Sequence, residues 1–116
     1  MTDIDTLADR FGFETFEERL RPRYNVAPGQ LVYVIVHDGV RRMRGMEWGL
    51  VPPWLKGDGK AYRMINVRAE TLAENRALGH LISRSRCMVP ADGFYEWKKE
   101  GGRKIPMRIA LKTGEP

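Results

Sequence analysis

The sequence predicts a single β-rich α+β domain over residues 1–116. Three observations favour this class: an apolar stripe at helical spacing near the N-terminus, a β-branched run at 31–37 before a turn, and an aromatic run at 94–97 before two glycines. Helical spacing predicts an amphipathic helix, and short apolar runs that end at glycine-containing turns predict β-hairpins. With 42% hydrophobic residues, a chain of 116 residues can build one modest core.

The first segment predicts a helix. Thr2 or Asp3 can cap its first turn, Gly12 can end it, and its apolar stripe consists of Ile4, Leu7 and Phe11. The next apolar residues predict a second short helical turn and are Phe13, Phe16 and Leu20.

Residues 21–29 predict an extended segment, because a residue that precedes proline is pushed away from helical geometry. Asn25 could place its amide in a functional site. An asparagine beside two prolines is also a common turn former, so both interpretations stay open.

Residues 31–37 are apolar on both faces and predict a buried strand, and Asp38-Gly39 predicts a tight turn into a return strand at 40–50. Three arginines on the return strand could face phosphate groups or solvate an edge strand; they are Arg41, Arg42 and Arg44. His37 and His80 lack the spacing of a metal site, and we expect structural roles for both.

Pro52-Pro53 holds the backbone extended in front of Trp54, beside a glycine-rich loop. A rigid aromatic side chain near basic residues suits base stacking in single-stranded nucleic acid. The alternative is that Trp48 and Trp54 fill the ends of a barrel-like core. We expect Trp48 in the core, and for Trp54 both interpretations stay open.

Residues 64–71 predict a strand in which Ile65 and Val67 point inward, so that Asn66 and Arg68 share the opposite face. An amide beside a guanidinium can hold a carbonyl or a phosphate. A helix is then expected from Thr71 or Asn75 to about Ser83.

The hairpin predicted at 94–111 carries one carboxylate, Glu96, between large aromatic residues. Packing against Phe94, Tyr95 or Trp97 would remove water from the carboxyl group and raise its pKa toward the range useful for proton transfer. The alternative is a solvated strand glutamate paired with Lys98 or Arg108.

The charge distribution is uneven. Residues 1–23 carry six acids and four bases (net −2), whereas residues 24–116 carry nine acids and sixteen bases (net +7). A basic surface suggests a polyanionic partner, nucleic acid first. Cys87 is the single cysteine, which fits a reducing, cytoplasmic setting, and neither a signal peptide nor a membrane-spanning run is visible.

Four motifs, in this order and at these spacings, resemble the SOS response-associated peptidase (SRAP) family, whose members protect abasic sites. The motifs are RYNVAPGQ, WGLVPPW, MINVRAET and RCMVPADGFYEWKK. The resemblance implies a barrel-like core, a basic channel for single-stranded DNA that contains abasic sites, no cofactor or metal, and a monomer when the domain is complete. It also implies association with the nucleoid when the protein is bound to DNA.

Members of this family expose an N-terminal cysteine by removing their own initiator methionine, and the cysteine forms a thiazolidine with the abasic aldehyde. An α-amine has a pKa of roughly 8, so its neutral fraction can attack the aldehyde before the thiol closes the ring. The resemblance implies that Glu96 moves protons and that Asn66 positions the N-terminal residue. It implies DNA contacts for Arg68, Trp54 and Trp97, and a place near the site for Asn25.

Two features depart from the family pattern. The chain begins Met-Thr-Asp, without a counterpart of the nucleophilic cysteine, and no histidine matches the family's Gly-His-x-Arg-Met-Pro-like segment. We therefore interpret the sequence as an SRAP domain that is incomplete at both ends, and expect it to self-associate through an open sheet edge. The alternative function is non-catalytic binding of single-stranded nucleic acid.

Overall fold

The computed structural model of the chain describes residues 2–16, 21, 23–51, 64–76 and 78–116. Its elements are, in chain order, α1 (Ile4–Phe11), β1 (Thr15–Phe16), β2 (Leu31–His37), β3 (Arg41–Glu47), α2 (Ala69–Leu72), α3 (Gly79–Arg84), β4 (Phe94–Glu100) and β5 (Arg103–Ile109). The described strands form two separate sheets, and these strands do not close into the expected barrel.

Helix α1 begins and ends as the sequence predicts. The carboxylate of Asp3 accepts a hydrogen bond from the backbone N–H of Thr6 at 2.9 Å, which provides an N-cap. Gly12 adopts a left-handed conformation (φ 64°), and its N–H donates to the carbonyl of Ala8 at 2.7 Å. Nearby residues therefore provide hydrogen-bond partners for backbone groups at both ends of the helix.

The segment after α1 corrects one prediction. Thr15–Phe16 pairs in parallel with Arg42 and Met43 of β3 and is a short strand, not a helical turn. The N–H of Glu14 also donates to the carbonyl of Arg41 at 3.3 Å, so the free edge of β3 provides backbone partners that no local pattern reveals. The other predicted members of the helical turn, residues 17–20, lie outside the described residues.

Strands β2 and β3 form the predicted antiparallel hairpin, with His37 opposite Arg41 at its turn. The core lies between this hairpin and α1 and consists of Leu7, Phe13, Ile35 and Met43. Burial along β2 is narrower than predicted: Val34 and Ile35 are buried, whereas Leu31 remains 44% exposed. The apolar run therefore faces the core only at its centre.

The secondary structure of residues 64–84 differs from that predicted from the sequence. Met64 makes an isolated antiparallel bridge with Leu50, and residues 65–68 then continue without strand pairing. The expected long helix is divided into α2 and α3. Asn75 explains the division, because its side chain accepts from the N–H of Leu78 at 3.2 Å and its carbonyl accepts from the N–H of Gly79 at 2.7 Å, which closes a turn there.

Strands β4 and β5 form the second predicted hairpin around Gly101 and Gly102. Both glycines have positive φ (54° and 78°), as a two-residue turn between twisted strands requires. Residues of both strands are exposed along their whole length. The radius of gyration is 16.4 Å, against about 13 Å for a compact domain of similar length, which indicates an open arrangement.

A backbone bridge connects the β2–β3 hairpin to the segment that precedes the β4–β5 hairpin. Ile35 of β2 and Met88 exchange two hydrogen bonds of 2.8 and 2.9 Å, so the segment that leads into β4 runs along the open edge of β2. No helix within the described ranges has the length and apolar character that crossing a membrane requires.

Candidate functional site

The β4–β5 hairpin presents two chemically different faces. Alternate residues of a strand point to opposite sides, so the cross-strand register assigns each side chain to a face. The first face, which we call the acidic-apolar face, consists of Phe94, Glu96, Lys98, Glu100, Arg103, Ile105, Met107 and Ile109. The second, the basic-aromatic face, consists of Tyr95, Trp97, Lys99, Lys104, Pro106 and Arg108.

The basic-aromatic face combines two exposed rings with cations. Tyr95 is 54% exposed and Trp97 is 61% exposed, and Arg108 lies directly across from Tyr95. Flat rings interleaved with Lys and Arg are the groups that bind single-stranded nucleic acids by stacking and by charge. This face can therefore hold an extended polyanion.

Glu96 does not have the surroundings that its sequence neighbours suggest. Tyr95 and Trp97 point to the opposite face, and only Phe94 shares the face of Glu96. The expected desolvation of the carboxyl group by packing against Phe94, Tyr95 or Trp97 is wrong: the pleat of the strand directs Tyr95 and Trp97 away from it, and Glu96 remains exposed.

The alternative partners of Glu96 are also occupied elsewhere. Lys98 pairs with Glu100 at 3.2 Å, and Arg108 donates to the backbone carbonyl of Asp92 at 3.0 Å. Among the described residues, Glu96 makes no side-chain hydrogen bond or ion pair. Its carboxylate is thus available to a bound molecule.

The turn before β4 fixes the position of the hairpin. The carboxylate of Asp92 accepts a hydrogen bond from the hydroxyl of Thr2 at 2.7 Å, and its carbonyl accepts from Arg108. A Cβ atom at Gly93 would lie 2.5 Å from the carbonyl oxygen of Ile109, so only glycine fits this close approach. Asp92 and Arg108 hold the hairpin in position, and no local sequence pattern indicates these two contacts.

The segment around Asn25 lies against the hairpin. The hydroxyl of Tyr95 donates to the carbonyl of Tyr24 at 3.4 Å. Arg23 and the backbone N–H of Ala27 both donate to the side-chain oxygen of Gln30, at 2.6 and 3.2 Å. These bonds hold the loop in place and leave Asn25 exposed beside it.

Asn66 and Arg68 are both exposed, on the segment between the Met64 bridge and α2. The indole N–H of Trp48 donates to the carbonyl of Ile65 at 3.3 Å, which ties this segment to the end of β3. Ile65 (45% exposed) and Val67 (42% exposed) do not point into a core as predicted. Within the described part of the chain, no hydrogen bond or ion pair connects Asn66 or Arg68 to Glu96. Trp54 lies outside the described residues.

Solved structures with the same architecture define the class of protein. A crystal structure of a protein from Bacteroides thetaiotaomicron superimposes with a TM-score of 0.73 at 28% identity, over 91% of this chain and 50% of that one. A second crystal structure, from Bordetella bronchiseptica, gives a TM-score of 0.76 at 20% identity, over 100% of this chain and 57% of that one. The chain thus has a mixed α+β fold that is also found in these two proteins.

The family follows from the sequence comparison. The profile of the SOS response associated peptidase (SRAP) family matches residues 1–116, and the chain belongs to this family. The abasic site processing protein YoqW of Bacillus subtilis is 43% identical over an alignment of 116 positions, which covers 97% of this chain and 52% of that protein. YedK of Escherichia coli, also an abasic site processing protein, is 38% identical over 95 residues, which cover 81% and 41% of the two chains. The chain spans about half the length of these curated relatives.

Proposed function

We propose that the protein acts on abasic sites in single-stranded DNA. The observation that carries this proposal is the family match over the full 116 residues, together with relatives that are named abasic site processing proteins. The hairpin supports it, since one face carries a carboxylate without a partner among the described residues and the opposite face is suited to an extended polyanion. The proposed activities are self-cleavage at the N-terminus, covalent attachment to the abasic aldehyde, and lyase cleavage of the DNA strand.

The covalent step needs an amine, an aldehyde and a proton shuttle. The amine nitrogen adds to the sugar aldehyde carbon, and water leaves to form an imine; a thiol on the same residue then adds to the imine carbon and closes a thiazolidine ring. Glu96 is the proposed proton shuttle, because its carboxylate can accept the proton that the amine releases when it adds to the aldehyde, and the resulting carboxylic acid can give that proton to the departing hydroxyl group, which leaves as water. Asn66 is proposed to position the amine.

Cys87 is not suited to this ring closure. It is the single cysteine of the sequence and is exposed, but its nitrogen belongs to a peptide bond and cannot form an imine. We propose that thiazolidine formation uses an N-terminal cysteine, as the family pattern implies. For a chain whose first residue is not cysteine, the expected outcome is non-covalent binding.

The proposed DNA contacts follow from charge and stacking. Trp97 would stack on a base and Arg68 would contact a phosphate, while Asn25 would lie along the strand beside Tyr95. Trp54 is proposed as a second stacking residue. The net charge of +7 on residues 24–116 would add a salt-dependent attraction for the DNA backbone.

The test compares two gels of the 116-residue chain with an oligonucleotide that carries one abasic site, next to the same oligonucleotide without the site. On a native gel we expect a complex that weakens steeply as salt rises. A denaturing gel reports covalent attachment, and mapping a linked residue would identify the amine used. The proposal fails if the chain shows no affinity for single strands at low salt.

The second candidate function is a non-catalytic single-stranded nucleic-acid-binding module. The observation that favours it is the basic-aromatic face, which could bind DNA without any covalent chemistry. Adding an N-terminal cysteine, the nucleophile that the family pattern implies, discriminates between the two functions. An adduct that survives denaturation and requires this cysteine supports the enzyme, whereas unchanged salt-sensitive binding without an adduct supports the module.

A further inference from the structure

A second basic site lies outside the hairpin, where the C-terminal end of α1 meets the turn of the β2–β3 hairpin and the segment that carries Cys87. An open cavity of about 450 Å³ is found here. Three arginines line it, Arg10, Arg41 and Arg86, and Phe11 and Ile35 contribute apolar surface. No acidic side chain is among the lining residues.

The charges of these arginines are only partly compensated. Arg10 pairs with Glu115 at 3.1 Å and lowers the pKa of that carboxyl group. Arg41 donates to the backbone carbonyl of Phe11 at 3.0 Å, a bond that holds its guanidinium but does not neutralise it. Arg86 is exposed and has no hydrogen-bond or ion-pair partner among the described residues.

We propose that this cavity binds a phosphate group of the single-stranded DNA backbone, as a contact separate from the hairpin. The proposal rests on the proposed function, because it extends the same DNA along a second part of the surface. Arg41 is held by its bond to Phe11, and neither Arg41 nor Arg86 has a carboxylate partner within the described ranges, so two uncompensated guanidinium groups line one cavity. Planar guanidinium groups match phosphate oxygens in paired hydrogen bonds.

The openness of the cavity favours a backbone phosphate over an enclosed small anion. Its walls include exposed residues from three segments of the chain, so a strand can pass across it without threading. The apolar surface of Phe11 can contact the sugar that follows the phosphate. We expect the DNA to touch both the cavity and the basic-aromatic face.

Cys87 provides a site-specific reporter, since it lines the cavity, is exposed and is the single cysteine of the chain. The experiment measures its alkylation by iodoacetamide with and without a short oligothymidine at low salt. It uses the 116-residue chain, Arg86→Gln, and Arg84→Gln as a control that removes the same charge from an exposed helix position outside the cavity. A parallel arm replaces the oligothymidine with inorganic phosphate.

We expect the oligothymidine to slow the alkylation of Cys87 severalfold in the unmodified chain and in Arg84→Gln. In Arg86→Gln, we expect it to protect Cys87 from alkylation much less. In binding titrations, Arg86→Gln should reduce the slope of log affinity against log salt by about 0.7, the value for one phosphate contact on a single strand. Arg84→Gln should leave this slope unchanged.

Different outcomes separate this inference from the proposed function. If the chain binds DNA but Cys87 is not protected, and both variants have the same slope of log affinity against log salt, the proposed phosphate site in the cavity is wrong. The proposed function would not be affected by this result. Protection by inorganic phosphate but not by the oligothymidine would identify a free anion as the ligand and overturn the backbone contact. Absence of any affinity for oligothymidine would overturn both proposals.

Discussion

Glu96 and Glu100 lie on the same face of the β4–β5 hairpin, but among the described residues Glu100 has an ion-pair partner and Glu96 has none. If Glu96 moves protons, Glu96→Gln in the chain that carries the N-terminal cysteine should slow adduct formation by about 10²–10⁴-fold, the usual contribution of a general acid–base. The affinity of this variant for single strands should hardly change, because glutamine keeps the size of the side chain and residue 96 lies on the face opposite the basic-aromatic face. The measurement is a time course of adduct on denaturing gels.

The matched control for this prediction is Glu100→Gln, which removes the same charge from the same face. It should form the adduct at the unmodified rate, since its ion pair with Lys98 is exposed and contributes little to stability. Equal slowing in both variants would mean that general electrostatics, and not the Glu96 carboxylate, controls the reaction.

Trp97 and Phe94 allow the two faces of the hairpin to be compared. Both rings are exposed, at 61% and 57%, but they point to opposite sides. Trp97→Ala should cost about 1–3 kcal/mol of binding free energy for single-stranded DNA, the usual value of one stacked base. Phe94→Ala should leave the affinity unchanged. Fluorescence anisotropy measures both, and the reverse order of effects would place the DNA on the acidic-apolar face.

At the scale of the element, the N-cap of α1 makes stability depend on pH. Hydrogen bonds from the backbone N–H and the hydroxyl of Thr6 lower the pKa of Asp3 below its ordinary value. A lowered pKa in the folded state stabilises the protein above the ordinary pKa, and this contribution is lost as pH falls through the lowered value. Asp3→Ala should therefore lower Tm at neutral pH, and the difference from the unmodified chain should shrink in acid.

Asp9→Ala is the control for the cap, because Asp9 is an exposed acid of the same helix that does not cap it. It should change Tm less than Asp3→Ala at neutral pH. A Tm difference for Asp3→Ala that stays constant down to strongly acidic pH would show that the carboxylate charge is not what stabilises the helix.

The β4–β5 hairpin depends on the close approach of Gly93 to Ile109. The 2.5 Å distance from a Cβ at residue 93 to the carbonyl oxygen of Ile109 is too short to exist, so Gly93→Ala must shift the backbone of one strand. We expect faster amide hydrogen exchange throughout β4 and β5. Gly101→Asn is the control, because asparagine tolerates a left-handed turn conformation and no atom lies within 4 Å of a Cβ there. Equal exchange in the two variants would argue against a steric role for Gly93.

At the scale of the whole molecule, the hairpin exposes a large apolar surface. Met107 and Ile109 are 44% and 43% exposed on the acidic-apolar face, and Ile105 is 38% exposed beside them. Exposed apolar surface of this kind drives association, so we expect the 116-residue chain to self-associate as its concentration rises. Light scattering should show a mass that increases with concentration.

Met107→Lys should reduce this association, because it introduces a desolvated charge into the contact. Lys104→Gln, on the basic-aromatic face, should not reduce it. A monomeric mass at all concentrations would contradict the prediction, and an effect of Lys104→Gln alone would place the contact on the other face.

The sequence by itself determined the parts of the structure that near neighbours control. The Asp3 cap, the Gly12 stop and both hairpins follow from turn and capping chemistry within a few residues, and four ordered motifs were enough to indicate the family. Asn66, Arg68 and Glu96 could be nominated from these motifs, and their catalytic and binding roles stay predictions. The same is true of Trp54, Trp97 and Asn25.

The tertiary structure decided what depends on distant partners. Thr15–Phe16 is a strand because β3 offers an edge, and Asn75 divides a helix because its own bonds close a turn. Only the cross-strand register shows that Glu96 and Trp97 point to opposite faces. The Asp92 contacts and the three-arginine cavity join residues far apart in the chain. A local sequence pattern determines the backbone conformation of a segment. Which side chains are buried, and which distant residues they contact, depends on the fold of the rest of the chain.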